Sequence, residues 1–259
     1  MKEPSPNVVK SAARVLEIFE MFDELRRPVT INEVAAHLGY PHSSSAALLK
    51  SLDSLGYLEY EPDERTFFPS VRISMLGNWV ENESLPVRAV QRLMQDLLQS
   101  TGCTVITAIR AGVYCQYIKV MQGTAAIRYH VNSGTRRLLH ESTLGRILIA
   151  QMDHDQGRDL FMQSIRRSDL MLPADAVDEL YGEISRIRQQ GFACNTGLIV
   201  PNATLLGVPL TFDRRGRPVA IGIAAPSDQI VPRRDEFVKQ LRNHTADFDR
   251  SQVEQENLA

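Results

Sequence analysis

Residues 30–56 constrain the fold more than any other stretch. Thr30-Ile31-Asn32-Glu33 reads as a capping box, in which the Thr30 hydroxyl accepts from the Glu33 amide and Glu33 reaches back. A short helix follows through Leu38, and Gly39 stops it. Pro41-His42-Ser43 opens another helix, with Ser45, Leu48, Leu49, Leu52 and Leu55 on its inner face at spacings of three and four; Gly56 closes it. Ahead of this pair, Val8, Val15, Leu16, Ile18, Phe19 and Phe22 repeat at helical spacing and predict a helix over 8–22, ended at Arg26-Arg27-Pro28. Behind it, 57–60 reads as a strand, Pro62-Asp63-Glu64 as a turn and 65–68 as the return strand. Three helices and a hairpin make a winged helix-turn-helix over 1–70. Val71, Met75, Leu76, Trp79 and Val80 mark a linker helix over 71–83.

The composition changes near Ser84. Leu85-Pro86 starts an amphipathic helix carrying Val90, Leu93, Met94, Leu97 and Leu98. Strands are predicted over 104–109, 113–120, 127–131, 194–200, 205–212 and 219–224, with turns at Ala111-Gly112, Ser133-Gly134 and Arg214-Arg215-Gly216. Helices are predicted over 143–152, 175–188 and 234–248, followed by a frayed polar tail. Strands interspersed with helices indicate one α/β sheet domain over 84–259. The fold class is therefore α+β, with a helical N-terminal domain and a sheet-based C-terminal one.

Charge excludes the simplest partner arguments. The chain of 259 residues has 29 Lys+Arg against 31 Asp+Glu, a net charge of -2, so any charged partner must be met by a local patch. The start of the chain lacks the apolar stretch of a signal peptide, and no run of about 18 apolar residues exists to span a membrane. Three widely spaced cysteines, Cys103, Cys115 and Cys194, do not form a disulfide framework and fit a reducing cytoplasm.

The helix-turn-helix carries the strongest chemical signal. A short helix, a glycine turn and a polar helix start lay a recognition helix in the major groove of DNA. The outward face offers His42, Ser43, Ser44, Ala46, Ala47, Lys50 and Ser51, and the two leading serines with the helix N-terminus suit phosphate oxygens. Arg14, Thr30 and Arg65 complete the expected DNA-contacting set, which comprises Arg14, Thr30, His42, Ser43, Ser44, Ala47, Lys50 and Arg65. The bland alternative is an ordinary three-helix core with capping serines. Charge argues for caution: residues 1–78 hold eight basic and eleven acidic side chains, and the wing sets Glu61, Asp63 and Glu64 beside Arg65 alone. The wing is therefore expected to grip the minor groove weakly.

Metal and catalytic patterns are lacking. His130, His140 and the cysteines show neither CxxC nor HxxxH spacing, and no metal or cofactor is expected. The chain has no Gly-x-Ser-x-Gly elbow, no phosphate-binding glycine loop and no His-Glu-x-x-His, so no catalytic residue is assigned. Ser142-Thr143 reads as an N-cap rather than a nucleophile.

At this point the sequence resembles the IclR-type transcriptional regulators along most of its length. The N-terminal resemblance lies in 11–16, 30–35, Gly39-Tyr40-Pro41-His42-Ser43-Ser44, 48–52 and Gly56-Tyr57-Leu58. The C-terminal one lies in 139–150, Gly191-Phe192, Gly207-Val208-Pro209, Pro218-Val219-Ala220 and Ala225-Pro226. The resemblance implies a GAF-like C-terminal domain that binds a small effector, and homodimers or homotetramers on a double-stranded DNA operator. Two departures stand out. Ala46-Ala47 replaces the bulky residue and arginine usual in the family, removing a guanine reader while leaving contact with thymine methyl groups. Leu144 stands where a small residue is commoner.

The resemblance also implies an effector site at Ala126, Tyr129, Thr143, Leu144, Asn195, Gly222 and Ala224, with one more match falling on Leu205 or Leu206. Alternation turns Val219, Ile221 and Ile223 to one face and Ala220, Gly222 and Ala224 to the other, and the small set is expected to leave space beside the sheet; close packing of a helix there is the alternative. The amides at the start of the Thr143 helix can hold a carboxylate. Asn195 and Tyr129 can supply hydrogen bonds, assisted by His130 or Arg128 if either turns inward. The expected effector is a small organic acid, with an aromatic body as one form. On the linker helix, Leu76, Trp79 and Val80 favour a two-fold contact between chains over packing within one. The leading expectation is thus a cytoplasmic regulator whose operator affinity a small acid controls. A sensor acting through protein partners is the alternative, followed by an enzyme of unrecognised type.

Overall fold

A computed structural model describes residues 9–83, 86–168, 173–210 and 216–256. The chain divides into two compact units between Asn82 and Glu83.

The first unit contains α1 (Lys10–Leu25), β1 (Val29–Thr30), α2 (Ile31–Leu38), α3 (His42–Ser54), β2 (Leu58–Glu61), β3 (Thr66–Pro69) and α4 (Val71–Glu83). The capping box forms in full at α2, and Gly39 ends that helix in the left-handed region. Ile18, Met21 and Phe22 of α1 meet Val34 of α2 and Leu49 and Leu52 of α3, with Val29, Leu58 and Phe67 closing the core from the sheet. Leu55 departs from expectation: it is the C-cap of α3 and lies 59% exposed, because the helix ends before the inner face completes another turn. The wing gains a third strand, in the order β1-β3-β2. Val29 and Thr30 are too short a stretch to show alternation in the sequence, and they pair with Phe67 and Thr66.

The second unit is a six-stranded antiparallel sheet, ordered β6-β5-β4-β9-β8-β7. Its strands are β4 (Thr104–Ala111), β5 (Tyr114–Met121), β6 (Arg136–Leu138), β7 (Ala193–Thr196), β8 (Ala203–Leu210) and β9 (Val219–Pro226). One face carries α5 (Val87–Thr101) and α10 (Arg234–Glu256), whose Val90, Leu93, Leu97, Phe237 and Leu241 pack on Leu206, Val208, Val219, Ile221 and Ile223. The other carries α6 (Thr143–Ala150), α7 (His154–Arg166) and α8 (Ala174–Gln190), packed on Ile106, Ala108, Tyr117, Leu205, Ala220 and Ala224. A four-residue helix, α9 (Ser227–Ile230), follows the last strand.

Several expectations change here. No strand forms over 127–131: Ile127 is 73% exposed, and the segment is tied by side chains instead. The Thr104 hydroxyl donates to the Tyr129 carbonyl at 2.6 Å, and the Gln122 amide donates to the Val131 carbonyl at 2.6 Å. The edge strand is β6, nine residues later. The strand begun at Cys194 stops at Thr196, where Gly197 turns the chain at φ 73°. The last helix runs eight residues beyond Phe248, to Glu256. Helix α7 was not anticipated, although Asp153 caps its first amides and Phe161 and Ile165 share its inner face. The turn expected at Arg214-Arg215 lies outside the described residues.

Candidate functional site

The first unit presents α3 as an open helix face. His42, Ser43, Ala47, Lys50 and Ser51 are exposed, and Ser43, Ala47, Lys50 and Ser51 form one stripe at helical spacing. Ser51 turns its proton back to the Ala47 carbonyl at 2.7 Å. Arg14 reaches across from α1: its guanidinium donates to the Ser44 hydroxyl at 2.9 Å and lies 4.8 Å from the centre of the Tyr40 ring. A cation is thereby held at the start of α3, beside the unsatisfied amides of that helix.

Thr30 and Arg65 stand differently. The Thr30 hydroxyl is engaged inside its own cap, accepting from the Glu33 amide at 3.3 Å and donating to the Glu33 carboxylate at 3.0 Å. The Thr30 amide and the Arg27 guanidinium hold that carboxyl below the usual range. Arg65 sits at the wing turn with φ 54°, near a cleft lined by Glu59, Glu61, Asp63 and Glu64 with Tyr60 and Phe68.

In the second unit one rung of the ladder organises a cleft. Thr104, Ala224, Leu205 and Asn195 are cross-strand partners in succession across β4, β9, β8 and β7. Partners across a ladder share a face, so the rung lies on the α6 side. Ala224 and Leu205 form an apolar floor, Asn195 one end and Tyr129 the other. Thr143, the first residue of α6, also lines the cleft, as do Leu198, Ile199 and Val200. The free volume is only about 20 Å³, enough for one water molecule.

The structure therefore brings together Tyr129, Thr143, Asn195, Leu205 and Ala224, and leaves four expected residues elsewhere. Leu206 points to the opposite face, buried in the α5 and α10 core, because alternation reverses it relative to Leu205. Ala126 is exposed, outside the cleft lining. Leu144 and Gly222 fill one another: a Cβ on Gly222 would lie 2.9 Å from Leu144 Cδ2 and 2.7 Å from the Leu206 carbonyl oxygen. Leu144 is wholly buried there. The small-residue face thus packs a helix at Gly222 and opens only at Ala224. Arg128 and His130 are exposed and do not turn inward.

Behind the cleft runs a polar chain that the sequence reading missed. Asn195 Nδ2 donates to Glu183 Oε1 at 2.8 Å, Glu183 Oε2 accepts from Arg146, and Arg146 Nε donates to the His140 carbonyl at 2.8 Å. His140 Nδ1 meets the Ser164 hydroxyl at 2.9 Å. Burial, with the Arg146 charge, lowers the His140 pKa to about 4, so its ring is neutral. These bonds fix the Asn195 amide, whose Oδ1 is buried without a partner among the described residues. The signal available in the sequence was Arg146 itself, a charge inside the apolar run from Leu144 to Ile149.

Other chemistry is thin. Cys103 and Cys115 are buried and Cys194 half-buried, all as free thiols. Among the described residues no three His, Cys, Asp or Glu side chains gather to hold a metal, and no helix is long and apolar enough to cross a membrane.

Comparison with known proteins agrees with this architecture. Residues 11–62 match the IclR helix-turn-helix domain, and residues 83–250 match the bacterial transcriptional regulator IclR C-terminal family. The HTH-type transcriptional regulator KdgR of Dickeya chrysanthemi is 24% identical over 94% of this chain and 79% of its own length. The effector domain of a putative IclR regulator from Acinetobacter sp. ADP1 is 26% identical, with a TM-score of 0.56 over 63% of this chain and 95% of that one. An IclR homologue from Microbacterium hydrocarbonoxydans, solved in complex with 4-hydroxybenzoate, is 18% identical; its TM-score is 0.61 over 92% of this chain and 97% of that one.

Proposed function

The chain belongs to the IclR family of bacterial transcriptional regulators, DNA-binding proteins with a C-terminal effector domain, and from that premise we propose that a small organic acid, aromatic in body, controls its affinity for a double-stranded operator. We take residues 1–70 as the DNA-binding domain, 71–83 as the linker helix and 84–259 as the GAF-like effector domain, acting in the cytoplasm. Arg14, Ser43, Ser44 and Lys50 hold phosphate oxygens, while His42 and Ala47 face base edges; Thr30 and Arg65 lie at the margins of this surface.

The observation that carries the effector reading is the cleft lined by Tyr129, Ala224, Leu205 and Asn195. It offers an apolar floor between two polar ends. The buried Asn195 Oδ1 calls for a donor, such as a ring hydroxyl. The first amides of α6 and Thr143 suit a carboxylate at the other end. The 4-hydroxybenzoate bound by the Microbacterium homologue has both groups. Ligand pockets run to roughly 300 Å³ or more, so entry requires the lining to move outward. Binding is thereby coupled to a change of shape, which a regulator needs.

Assembly as a homodimer or homotetramer is part of the same reading. Val71, Met75 and Leu76 on α4 are exposed at 71%, 65% and 54%. The side chains of Trp79 and Val80, also expected in this contact, lie outside the described set. The test is fluorescence anisotropy with DNA from upstream of the coding region, titrated with 4-hydroxybenzoate. A change in operator affinity supports the reading. Operator binding that no aromatic acid alters removes the aromatic effector, and no binding at low salt favours a sensor acting through protein partners.

A further inference from the structure

The inner corner of the effector domain holds more hydrogen-bond donors than the protein itself uses. Arg137 of β6 is the cross-strand partner of Cys115 of β5, and Cys115 belongs to the core under α6. Arg137 therefore projects to the α6 face. Tyr117, two residues along β5 from Cys115, shares that face. Its backbone is clasped by the hairpin leading to β6: Tyr117 N donates to the Thr135 carbonyl at 2.9 Å and its carbonyl accepts from Gly134 N at 2.7 Å. Tyr117 is wholly buried, and its hydroxyl, close to the Ser142 side chain, makes no well-formed hydrogen bond among the described residues. Arg137 Nε is likewise buried without a partner, and the side chain joins no ion pair among the described residues.

The surroundings place these groups beside the cleft. Burial pushes the Tyr117 phenol up, with Ser142 and the Arg137 charge opposing, and it pushes Tyr129 up against the same Arg137 charge. Burial also pushes the Cys115 thiol up to about 12, with Ser142 opposing. Ser142 is the N-cap of α6, and Tyr129 and Thr143 line the cleft. The start of α6, both phenols and the guanidinium thus converge. Both phenols and the thiol stay protonated near neutral pH, so the corner holds O–H and N–H donors and one uncompensated positive charge. Arg146, the fully buried arginine on this side, has Glu183; Arg137 is half-buried. The Arg137 guanidinium has no counter-ion among the described residues, so an anion supplied from outside would find a charge to pair with.

We propose that Arg137, Tyr117 and Tyr129 form, with the start of α6, an anion subsite that takes the effector's carboxylate as a charge-paired, multiply hydrogen-bonded group. The proposal rests on the effector-cleft reading above and sharpens it: the ligand is a monoanionic acid that binds more tightly than its ester or amide. Arg137 supplies the charge, which the helix amides alone cannot.

Titration calorimetry of the full chain with 4-hydroxybenzoate and its methyl ester tests this. The unmodified protein should prefer the acid by at least about tenfold, the scale of one charge-assisted hydrogen bond. Arg137→Gln should erase that preference by weakening the acid alone, and Arg137→Lys should restore part of it. Tyr117→Phe keeps the ring in the core and removes only a hydroxyl that makes no well-formed hydrogen bond, so the variant should melt close to the parent while binding the acid several-fold more weakly. If Arg137→Gln binds the acid unchanged, or loses acid and ester equally, the subsite is wrong while the cleft stands. Equal binding of acid and ester by the unmodified protein also overturns the subsite and leaves a cleft for neutral ligands. Binding of neither compound overturns both.

Discussion

At the scale of single residues, Gly222 shows how far alternation alone can be read. The pattern of Ala220, Gly222 and Ala224 correctly separates the two faces of β9, since Val219, Ile221 and Ile223 lie in the other core. What it cannot show is which side chain from α6 arrives opposite each small residue. Leu144 reaches Gly222, so a side chain there meets Leu144 and the Leu206 backbone rather than an open pocket. A leucine at 222 would therefore clash with the α6 packing rather than fill a pocket. Even Gly222→Ala should destabilise the domain by about 1–3 kcal/mol through overpacking, measured by urea unfolding; a neutral result would mean that the β8–β9 contact is loose. His140 allows a second prediction. An unfolded histidine titrates near 6.5, whereas the buried ring titrates at about 4. Between those values the unfolded chain binds the extra proton, so stability is full above about pH 6.5 and falls as pH drops towards 4. The loss should approach about 3 kcal/mol at one pKa unit per 1.36 kcal/mol. His140→Gln should flatten the stability profile in that window, and an unchanged profile would refute the assignment.

At the scale of elements, legibility follows how local the causes are. Helix α2 was readable because its capping box and Gly39 act within a few residues, and α5 because Val90, Leu93, Met94 and Leu97 form a single stripe. The strand expected over 127–131 failed because its residues are tied by Thr104 and Gln122 from distant parts of the chain. The cleft is likewise non-local. Its rung of four residues from four strands exists only once the sheet order is known, so the family resemblance placed Tyr129, Asn195 and Ala224 where periodicity could not. The charges of α6 and α8 follow the same rule. Glu183 is the partner of Arg146, whose side chain is 5% exposed. Glu183→Leu should then cost about 3–5 kcal/mol by stranding a buried guanidinium, whereas Ser142→Ala at the α6 cap should cost about 1 kcal/mol. Thermal melts of the two variants should rank them in that order. On α3, Lys50→Ala should weaken binding to all DNA sequences alike and lower the salt slope by about one unit. A change in preferred bases would instead make Lys50 a base reader.

At the scale of the whole molecule, the weak electrostatics of the DNA-binding unit bear on assembly. Arg14 and Lys50, with Arg65 at the margin, are few cations for one operator contact, and the wing adds Glu59, Glu61, Asp63 and Glu64. A single copy holding so few phosphates binds DNA weakly. Two copies fixed on half-sites about 34 Å apart gain from effective concentration, because the second contact becomes intramolecular. Val71, Met75 and Leu76 on α4 are exposed, and they are the surface proposed above for such a pair. Met75→Glu combined with Leu76→Glu should then yield monomers in sedimentation at micromolar concentration. Neither side chain is buried in the fold, so the melting temperature of the rest of the chain should hold. Operator affinity should fall by a hundredfold or so, the lower end of what linked binding contributes, and a half-site probe should be bound equally by parent and variant. A variant that stays dimeric would move the contact away from α4, and one that becomes monomeric without losing operator affinity would mean that a single recognition helix suffices.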